Sequence, residues 1–344
     1  MNVFLSSSEE RRRTVCEQAQ DKLGLPPATI EKDFWVCFTL KKLFELPEWG
    51  VQLTFKGGTL LSKGWALIER FSEDIDIVIN REALDFGGDS APDRAPSKKQ
   101  MRKRLKALKE ASKDCVRKIL LPLLGETILK EIPAELTWKL DLDPDDPDEQ
   151  TLLFSYPTAF NVQMAYLRQV VKIELGARSD TEPTLDVNIH PYLADVFPDL
   201  FVQAHFSVKA VSLERIFWEK AMLLHEETFR PPEKTRQARM ARHYYDLYRL
   251  IVEGIGQKAS ADLELFERIA KHRQVYFRYT WVDYDTLCPG LLRLVPHEDQ
   301  FADWKSDYTA MKDEMFIGDP PAFDDLIQKA RKFQDAFNGK ADSD

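Results

Sequence analysis

Residues 52–59 read QLTFKGGT, and fourteen residues later the chain continues as Asp74-Ile75-Asp76 at the start of DIDIVI. Residues 74–79 alternate between polar and apolar, which predicts a half-buried strand, and QLTFK predicts a short strand that ends at Gly57-Gly58. Between them, Thr59 to Arg70 carries apolar residues at helical spacing. A strand, a double-glycine turn, a helix and an acidic strand therefore define the first part of the chain.

The glycines and aspartates of this stretch indicate phosphoryl chemistry. Two glycines let the backbone turn sharply and approach a ligand closely, and a helix beginning at Thr59 offers free N–H groups to a triphosphate. Asp74 and Asp76 lie two apart on a strand, so both carboxylates project from one face and suit Mg²⁺. A tight turn and a solvated strand end are the ordinary explanations of each feature alone. Their conjunction favours a catalytic site in which Mg²⁺ assists a phosphoryl displacement.

Composition sets broad limits. The 344 residues are enough for about two domains, and 44% hydrophobic residues can build a core. The net charge of −9 excludes a uniformly basic coat but not a local basic patch. No apolar run is long enough for a membrane span, the N-terminus lacks the pattern of a signal peptide, and the four cysteines are scattered. These features predict a cytoplasmic protein without a zinc site.

The order of elements predicts an α/β (α+β) protein of two lobes. A basic helix runs from Lys98 to Lys118, and two hairpin-like pairs follow: LTWKLDL with TLLFSYP, and VVKIELG with TLDVNI. From about Ser212 the pattern is mainly helical, with a boundary near residues 198–210. We therefore expect a mixed-sheet N-terminal lobe over residues 1–205 and an α-helical C-terminal lobe over residues 206–344.

Together, residues 55–59 (FKGGT) and 70–76 (RFSEDID) resemble the first motif of the AbiEii/AbiGii (MenT-like) toxin nucleotidyltransferases, a family of the DNA polymerase β-like superfamily. Residues 30–33 (IEKD), residues 171–175 (VKIEL) and the helices around Lys220 and Asp246 match the family's order, so the resemblance spans about residues 28–252. It implies a polymerase β-like fold, with transfer of a nucleoside monophosphate from a nucleoside triphosphate and release of pyrophosphate.

Candidate site residues follow from this resemblance together with the charge pattern. The catalytic set is Asp74, Asp76, Glu174, Lys220 and Asp246, of which Asp74, Asp76 and Glu174 would hold Mg²⁺ (Mn²⁺ as an alternative ion). Contacts to the triphosphate are expected from Gly57, Gly58, Thr59, Lys32, Lys63, Lys172 and Arg242.

Several of these assignments have competing interpretations. Lys172 and Glu174 could form an ordinary ion pair on a solvated face, and Asp186, on what we expect to be the neighbouring strand, is a rival third carboxylate. Lys32 belongs to a charged cluster that could merely complement a helix dipole.

Lys220 falls in the apolar stripe of the helix over 213–227, where a buried charge needs a phosphate or carboxylate partner unless it reaches solvent. The candidate carboxylates for Lys220 are Asp246 and Glu174. Arg242 and Asp246 could instead form an i,i+4 salt bridge.

The resemblance implies a toxin of a toxin–antitoxin or phage-defence system that modifies RNA, with the tRNA 3′ end as one acceptor, and blocks growth. A cognate antitoxin encoded beside it would be its partner. The basic helix is the candidate contact for an RNA backbone, with a solvated helix face as the alternative. Rival functions are a housekeeping or resistance nucleotidyltransferase acting on a small molecule or protein, and an inactive member that only binds RNA.

Overall fold

The computed structural model describes residues 2–160, 169–316 and 318–339. The chain divides into two compact units. The first consists of Met1–Trp65 and Ser72–Ala210, and the second of Ala66–Phe71 and Val211–Asp344. Residues 66–71 therefore belong with the second unit, although the sequence pattern places them in the first lobe.

The first unit is built on a mixed sheet of seven strands, in agreement with the predicted mixed α/β fold. Their order is β3-β4-β5-β2-β1-β7-β6. Strand β1 runs antiparallel to β2 and parallel to β7, while β2 runs parallel to β5. The strands are β1 (Leu53–Lys56), β2 (Ile75–Ile79), β3 (Lys139–Leu142), β4 (Thr151–Ser155), β5 (Val170–Gly176), β6 (Thr184–Ile189) and β7 (Phe206–Val211).

A nearly fully buried helix, α3, forms much of the core of the first unit. It begins at Pro27, a favourable first position because proline lacks the N–H that a helix start leaves unpaired. Trp35 is fully buried and stacks on Tyr156 with ring centroids 5.6 Å apart. The helices of this unit are α1 (Asn2–Leu5), α2 (Glu9–Leu23), α3 (Pro27–Phe44), α4 (Gly57–Lys63), α5 (Lys98–Cys115), α6 (Leu121–Leu129) and α7 (Leu193–Val196).

The helix expected over residues 59–70 is shorter and starts earlier. Helix α4 begins at Gly57 and ends at Lys63, and Ala66 adopts a positive φ of 51° that no continuous helix allows. The apolar residues beyond it serve the second unit, where Ile68 is buried and the Leu67 carbonyl accepts a hydrogen bond from Arg249 Nε at 2.9 Å. Helical spacing alone could not distinguish these two uses.

Of the two expected hairpins, one is confirmed and one is wrong. Strands β3 and β4 pair antiparallel, with Leu142 opposite Leu152. Strand β5 instead lies between β4 and β2, so both of its edges are occupied and β6 pairs at the opposite end of the sheet. Strand β7 was not anticipated from the sequence; Ala210 pairs with Phe55 of β1.

The second unit is helical, as expected. Trp218 lies at its centre, fully buried, with edge-on contacts to Phe266 at 4.7 Å and Phe333 at 6.1 Å between ring centroids. None of the described helices is long and apolar enough to cross a bilayer. The helices of this unit are α8 (Leu213–Thr228), α9 (Arg242–Val252), α10 (Ile255–Ala261), α11 (Leu263–Tyr276), α12 (Glu298–Met315) and α13 (Phe323–Phe337).

Candidate active site

Gly57 brings the turn after β1 into direct contact with the acidic strand. Its φ is +84°, in the left-handed region that favours glycine. The preceding residue, Lys56, pairs with Asp76 across the antiparallel β1–β2 ladder. A Cβ at position 57 would lie 1.9 Å from Asp76 Oδ2, so only glycine fits this approach.

Thr59 fixes the segment that leads into β2. Its side chain is fully buried, and its hydroxyl lies 2.5 Å from the Asp74 carbonyl oxygen and 3.0 Å from Ser72 Oγ. The hydroxyl donates to the carbonyl, which holds Asp74 at the start of the strand. The Thr59 side chain therefore fixes the backbone of Asp74 through this hydrogen bond.

The strand register places Glu174 beside Asp76. These two residues are direct partners in the parallel β2–β5 ladder, so their side chains share one face of the sheet. Asp74 is exposed just before β2, and Asp76 is half-buried on it. The sequence suggested that Asp186 lies on the strand next to β5. Its strand, β6, is instead at the far end of the sheet, separated from β2 by β1 and β7. The geometry therefore favours Glu174 over Asp186 as the third carboxylate.

Lys172 lies beside the same carboxylates. Its ammonium is 2.5 Å from Glu174 Oε1, and both side chains are more than a third exposed. Burial lowers the pKa of Lys172, but the hydrogen bond and attraction of Glu174, with a further contribution from Asp74, outweigh burial and raise it. An exposed pair of this kind adds little stability. The ordinary ion pair considered above is thus present, and it lies within the electrostatic reach of Asp74.

The donor set of this face suits a hard divalent ion. No three His, Cys, Asp or Glu side chains among the described residues group closely enough to hold a metal by themselves. Mg²⁺ commonly takes only one or two protein carboxylates and completes its shell with water and substrate phosphate oxygens. Asp74 and Asp76, with Glu174 next to them, fit that arrangement.

Two other lysines of the predicted site are buried and form ion pairs in the first unit. Lys32, 1% exposed, pairs with Glu73 at 2.6 Å, next to Asp74 in sequence. Lys63 pairs with Asp33 at 2.7 Å and sits over the Tyr192 ring at 3.4 Å. Burial opposes its charge, but Asp33 raises the pKa of Lys63. Lys63 therefore already has a carboxylate partner inside the unit, and its contact with the triphosphate stays a prediction.

A second buried cluster, made of Arg70, Lys220 and Asp246, lies in the second unit. The Asp246 carboxylate accepts hydrogen bonds from Arg70 Nε at 2.7 Å and Arg70 Nη2 at 2.8 Å. The Lys220 ammonium donates to the same carboxylate at 2.7 Å. Asp246 is fully buried and Lys220 is 8% exposed, so this lysine does not extend to solvent.

The members of this cluster shift one another's pKa values. Burial and the nearby Arg70 lower the pKa of Lys220 although Asp246 attracts the ammonium, and the two cations hold the pKa of Asp246 low against its burial. Arg242 does not pair with Asp246; its guanidinium donates to the Arg239 carbonyl at 3.2 Å. The buried Nδ1 of His243 has no hydrogen-bond partner among the described residues.

Known families and solved structures show which proteins this chain is similar to. A family model described as "Nucleotidyl transferase AbiEii toxin, Type IV TA system" matches residues 39–329. The chain belongs to the AbiEii family of nucleotidyltransferase toxins. Among solved structures it is similar to MenT4, a nucleotidyltransferase toxin from Mycobacterium tuberculosis H37Rv, with 15% identity, 96% of this chain and 90% of that chain covered, and a TM-score of 0.46. A comparison with curated proteins finds no match.

AbiEii membership confirms the resemblance read from the sequence and makes this chain a toxin-type nucleotidyltransferase. A type IV toxin–antitoxin assignment implies a cognate antitoxin, and a nucleotidyltransferase takes a nucleoside triphosphate as substrate.

Sequence reasoning did not assign roles to Arg70 and Glu73, the partners of Asp246 and Lys32. Both lie in RFSEDID, and their position inside the motif was the available signal.

Proposed function

We propose that this protein transfers a nucleoside monophosphate from a nucleoside triphosphate to an RNA acceptor and thereby blocks growth, as the toxin of a toxin–antitoxin or phage-defence pair. The acceptor oxygen bonds to the α-phosphorus, the bond to the pyrophosphate oxygen breaks, and the hydroxyl proton leaves to solvent. The observation that carries the proposal is the contact between the Gly57 turn and the Asp76 carboxylate. It places a backbone turn that can approach phosphates against a carboxylate that can hold their counterion.

Each part of the first unit has a role in this proposal. Mg²⁺ held by Asp74, Asp76 and Glu174 would supply positive charge to the α-phosphate oxygens and the leaving group. The backbone N–H groups at Gly58 and Thr59, at the start of α4, would bind the triphosphate. The Thr59 hydroxyl would keep Asp74 in place through the Asp74 carbonyl.

The cluster of Arg70, Lys220 and Asp246 supports a role in binding phosphate charge. Asp246 accepts hydrogen bonds from both cations, and burial with the nearby Arg70 lowers the pKa of Lys220. A phosphate oxygen would relieve that cost, so the ammonium would be stabilised more strongly as charge develops in the transition state. Lys220 is therefore proposed as the catalytic cation and Asp246 as its positioning residue.

An exposed basic stripe on α5 supports RNA as the acceptor. Five cations of its first half are exposed and form no ion pair with any residue in the described ranges: Lys98, Lys99, Arg102, Lys103 and Lys106. Their spacing places them along neighbouring rows of one helix. In a chain of net charge −9, such a local stripe suits a phosphate backbone. A tRNA 3′ end is the acceptor we propose.

The second half of α5 and the segment after it differ because acidic residues neutralise them. Lys109 pairs with Asp148, and Glu149 accepts from Lys113 at 2.7 Å and Arg117 at 3.4 Å. The acidic loop between β3 and β4 therefore limits the free basic surface to the first half of the helix.

The direct test incubates labelled nucleoside triphosphates with separate RNA, protein and metabolite fractions. Label in RNA from the wild-type protein, lost in Asp76→Asn, is the expected result. Label in the protein or metabolite fraction alone would show that the acceptor is not RNA. No label in any fraction with any of the four triphosphates would contradict transferase activity.

A further inference from the structure

A stacked aromatic pair, Tyr279 and Trp281, lies at the surface of the second unit. The ring centroids are 4.6 Å apart and the planes are inclined by 23°. Tyr279 is 38% exposed and Trp281 is partly buried. A large aromatic ring that faces solvent while its neighbour supports it is available to stack with a further flat group.

Cations surround this pair. The Lys234 ammonium lies 4.4 Å from the Trp281 ring centroid, and the Arg230 guanidinium carbon lies 5.8 Å from it. Arg230 is paired with Glu227 at 2.6 Å, whereas Lys234 and Arg278 are exposed and make no ion pair within the described part of the chain. Residues 230–242 (RPPEKTRQARMAR) are rich in Lys and Arg, and this stretch contributes charge beside the stacked rings.

Hydrogen bonds to the Tyr284 hydroxyl hold the backbone at Tyr279. The backbone N–H of Tyr279 donates to the hydroxyl of Tyr284 at 3.1 Å, and that hydroxyl donates to the Phe277 carbonyl at 3.2 Å. Tyr284 itself is only 9% exposed. Because the backbone that leads into Tyr279 is held, less conformational freedom would be lost when a ligand stacks on its ring.

We propose that Tyr279 is a stacking platform for an unpaired nucleobase of the acceptor RNA, with Lys234 and Arg278 contacting the adjacent phosphates. Aromatic rings interleaved with cations are the arrangement that binds single-stranded nucleic acid, since every base presents a flat face and every nucleotide a phosphate. The inference rests on the proposed RNA acceptor and makes it more specific. It predicts that this site binds an unpaired end and not a duplex.

The test measures equilibrium binding by fluorescence anisotropy, without nucleoside triphosphate. Three hairpin RNAs of one sequence are compared: a blunt end, a short 3′ overhang, and the same overhang with abasic nucleotides. Tyr279→Ala is expected to weaken binding of the overhang RNA by about 5- to 150-fold, the range measured for base–aromatic stacking. Binding of the blunt and abasic RNAs should hardly change. Tyr279→Phe should bind like the wild type, because phenylalanine keeps the ring.

Leu291→Ala is the matched control, because Leu291 is an exposed apolar residue of the same unit at 53% exposure. It should leave all three affinities unchanged. Equal weakening of all three RNAs in Tyr279→Ala, or no weakening of any, would overturn the platform.

Labelling of RNA by the same samples reports the proposed function separately. A wild-type protein that labels RNA, alongside a Tyr279→Ala variant that binds overhang RNA normally, overturns the platform alone. A protein that needs Tyr279 to bind the overhang but labels no RNA keeps the platform and overturns the transferase proposal.

Discussion

The Asp76 carboxylate fills the space that a side chain at position 57 would need: a Cβ there would lie 1.9 Å from Asp76 Oδ2 and 2.7 Å from Asp76 Cγ. The positive φ of 84° at Gly57 and the position of the carboxylate therefore depend on each other. A side chain at residue 57 would have to displace the carboxylate, and with it any ion that the carboxylate holds.

Gly57→Ala should for this reason reduce nucleotide transfer by at least about 100-fold, which corresponds to about 3 kcal/mol of transition-state stabilisation. The left-handed backbone adds a stability cost of about 1–2 kcal/mol. Gly125→Ala is the control, since Gly125 lies in helix α6 with no heavy atom within 4 Å of an added Cβ. It should keep full activity and be slightly stabilised. Turnover and melting temperature on the same samples decide, and a fully active Gly57→Ala would contradict the proposed geometry.

The third carboxylate can be tested by a pair of conservative changes. Glu174→Gln should lower transfer by about 100-fold or more if Glu174 helps to hold the ion, because an amide carries no charge. Asp186→Asn should leave transfer unchanged, because its strand lies on the far side of β1 and β7 from β2. Mg²⁺ titrations of labelled-nucleotide incorporation measure both. The reverse ranking would assign the third carboxylate to Asp186.

Lys220 and Asp246 should differ in what their replacement does to stability. Lys220→Met leaves the Arg70–Asp246 pair intact, so the melting temperature should change little while transfer falls by about 100-fold or more. Asp246→Asn removes the carboxylate charge that pairs with both Arg70 and Lys220 and should cost about 3–5 kcal/mol. Denaturant unfolding with parallel turnover assays separates the two. Retained turnover in Lys220→Met would make this lysine structural only.

The basic stripe on α5 predicts a salt-dependent effect on RNA binding. Neutralising Lys99, Arg102, Lys103 and Lys106 together should weaken RNA affinity and lower its salt slope by roughly one unit for each phosphate that the variant no longer neutralises. The control changes Lys109, Lys113 and Arg117, which already have acidic partners, and should affect the slope much less. Binding of the nucleoside triphosphate should hardly change in either variant. Equal slopes for the first variant and the wild type would leave the stripe as a solvated helix face.

Stability should decrease in mild acid because of His225. This side chain is fully buried, accepts a hydrogen bond at Nδ1 from the Arg293 N–H, and lies 3.1 Å from Thr286 Oγ1. Burial, with repulsion from Arg293 and Arg273, lowers the pKa of His225 to about 4. The unfolded chain, with a histidine pKa of about 6.5, therefore binds more protons than the folded one between these values.

The free energy of unfolding should consequently fall as the pH drops from about 6.5 to about 4, by up to about 3 kcal/mol from this group. His225→Gln should flatten that dependence, although His243, whose pKa burial also lowers, retains part of it. Urea unfolding at several pH values measures the slopes, and identical slopes for His225→Gln and the wild type would rule out this origin.

Local patterns predicted much of this fold. The double-glycine turn, the acidic strand, the β3–β4 hairpin and the helical second unit each leave a signature within a few residues, and the structure contains all of them. The order of strands left no such signature. Alternation in residues 170–176 shows which side chains share a face, but a parallel partner from residues 75–79 is set by contacts far along the chain.

The candidate site shows the same division. Asp74 and Asp76 were identifiable from their spacing, whereas the Arg70–Asp246 hydrogen bonds join residues 176 positions apart. Nothing in the local sequence around Lys63 indicates its buried ion pair with Asp33, thirty residues earlier. Charged residues in a motif are easily recognised, but their partners become known only when the chain is folded.

Arg70 makes the two units inseparable by a single break in the chain. It lies between α4 and β2 in sequence, yet it belongs by contact to the second unit. A C-terminal fragment that begins at residue 211 would contain Lys220 and Asp246 but not Arg70. It would lack the guanidinium that donates two hydrogen bonds to the Asp246 carboxylate. The N-terminal fragment, residues 1–210, would keep residues 66–71. Ile68 and Arg70, which are buried in the whole chain, would then be separated from the unit to which they belong. If this toxin is split for safe expression, or its halves are fused to separate carriers, residues 66–71 must therefore be included in the C-terminal fragment.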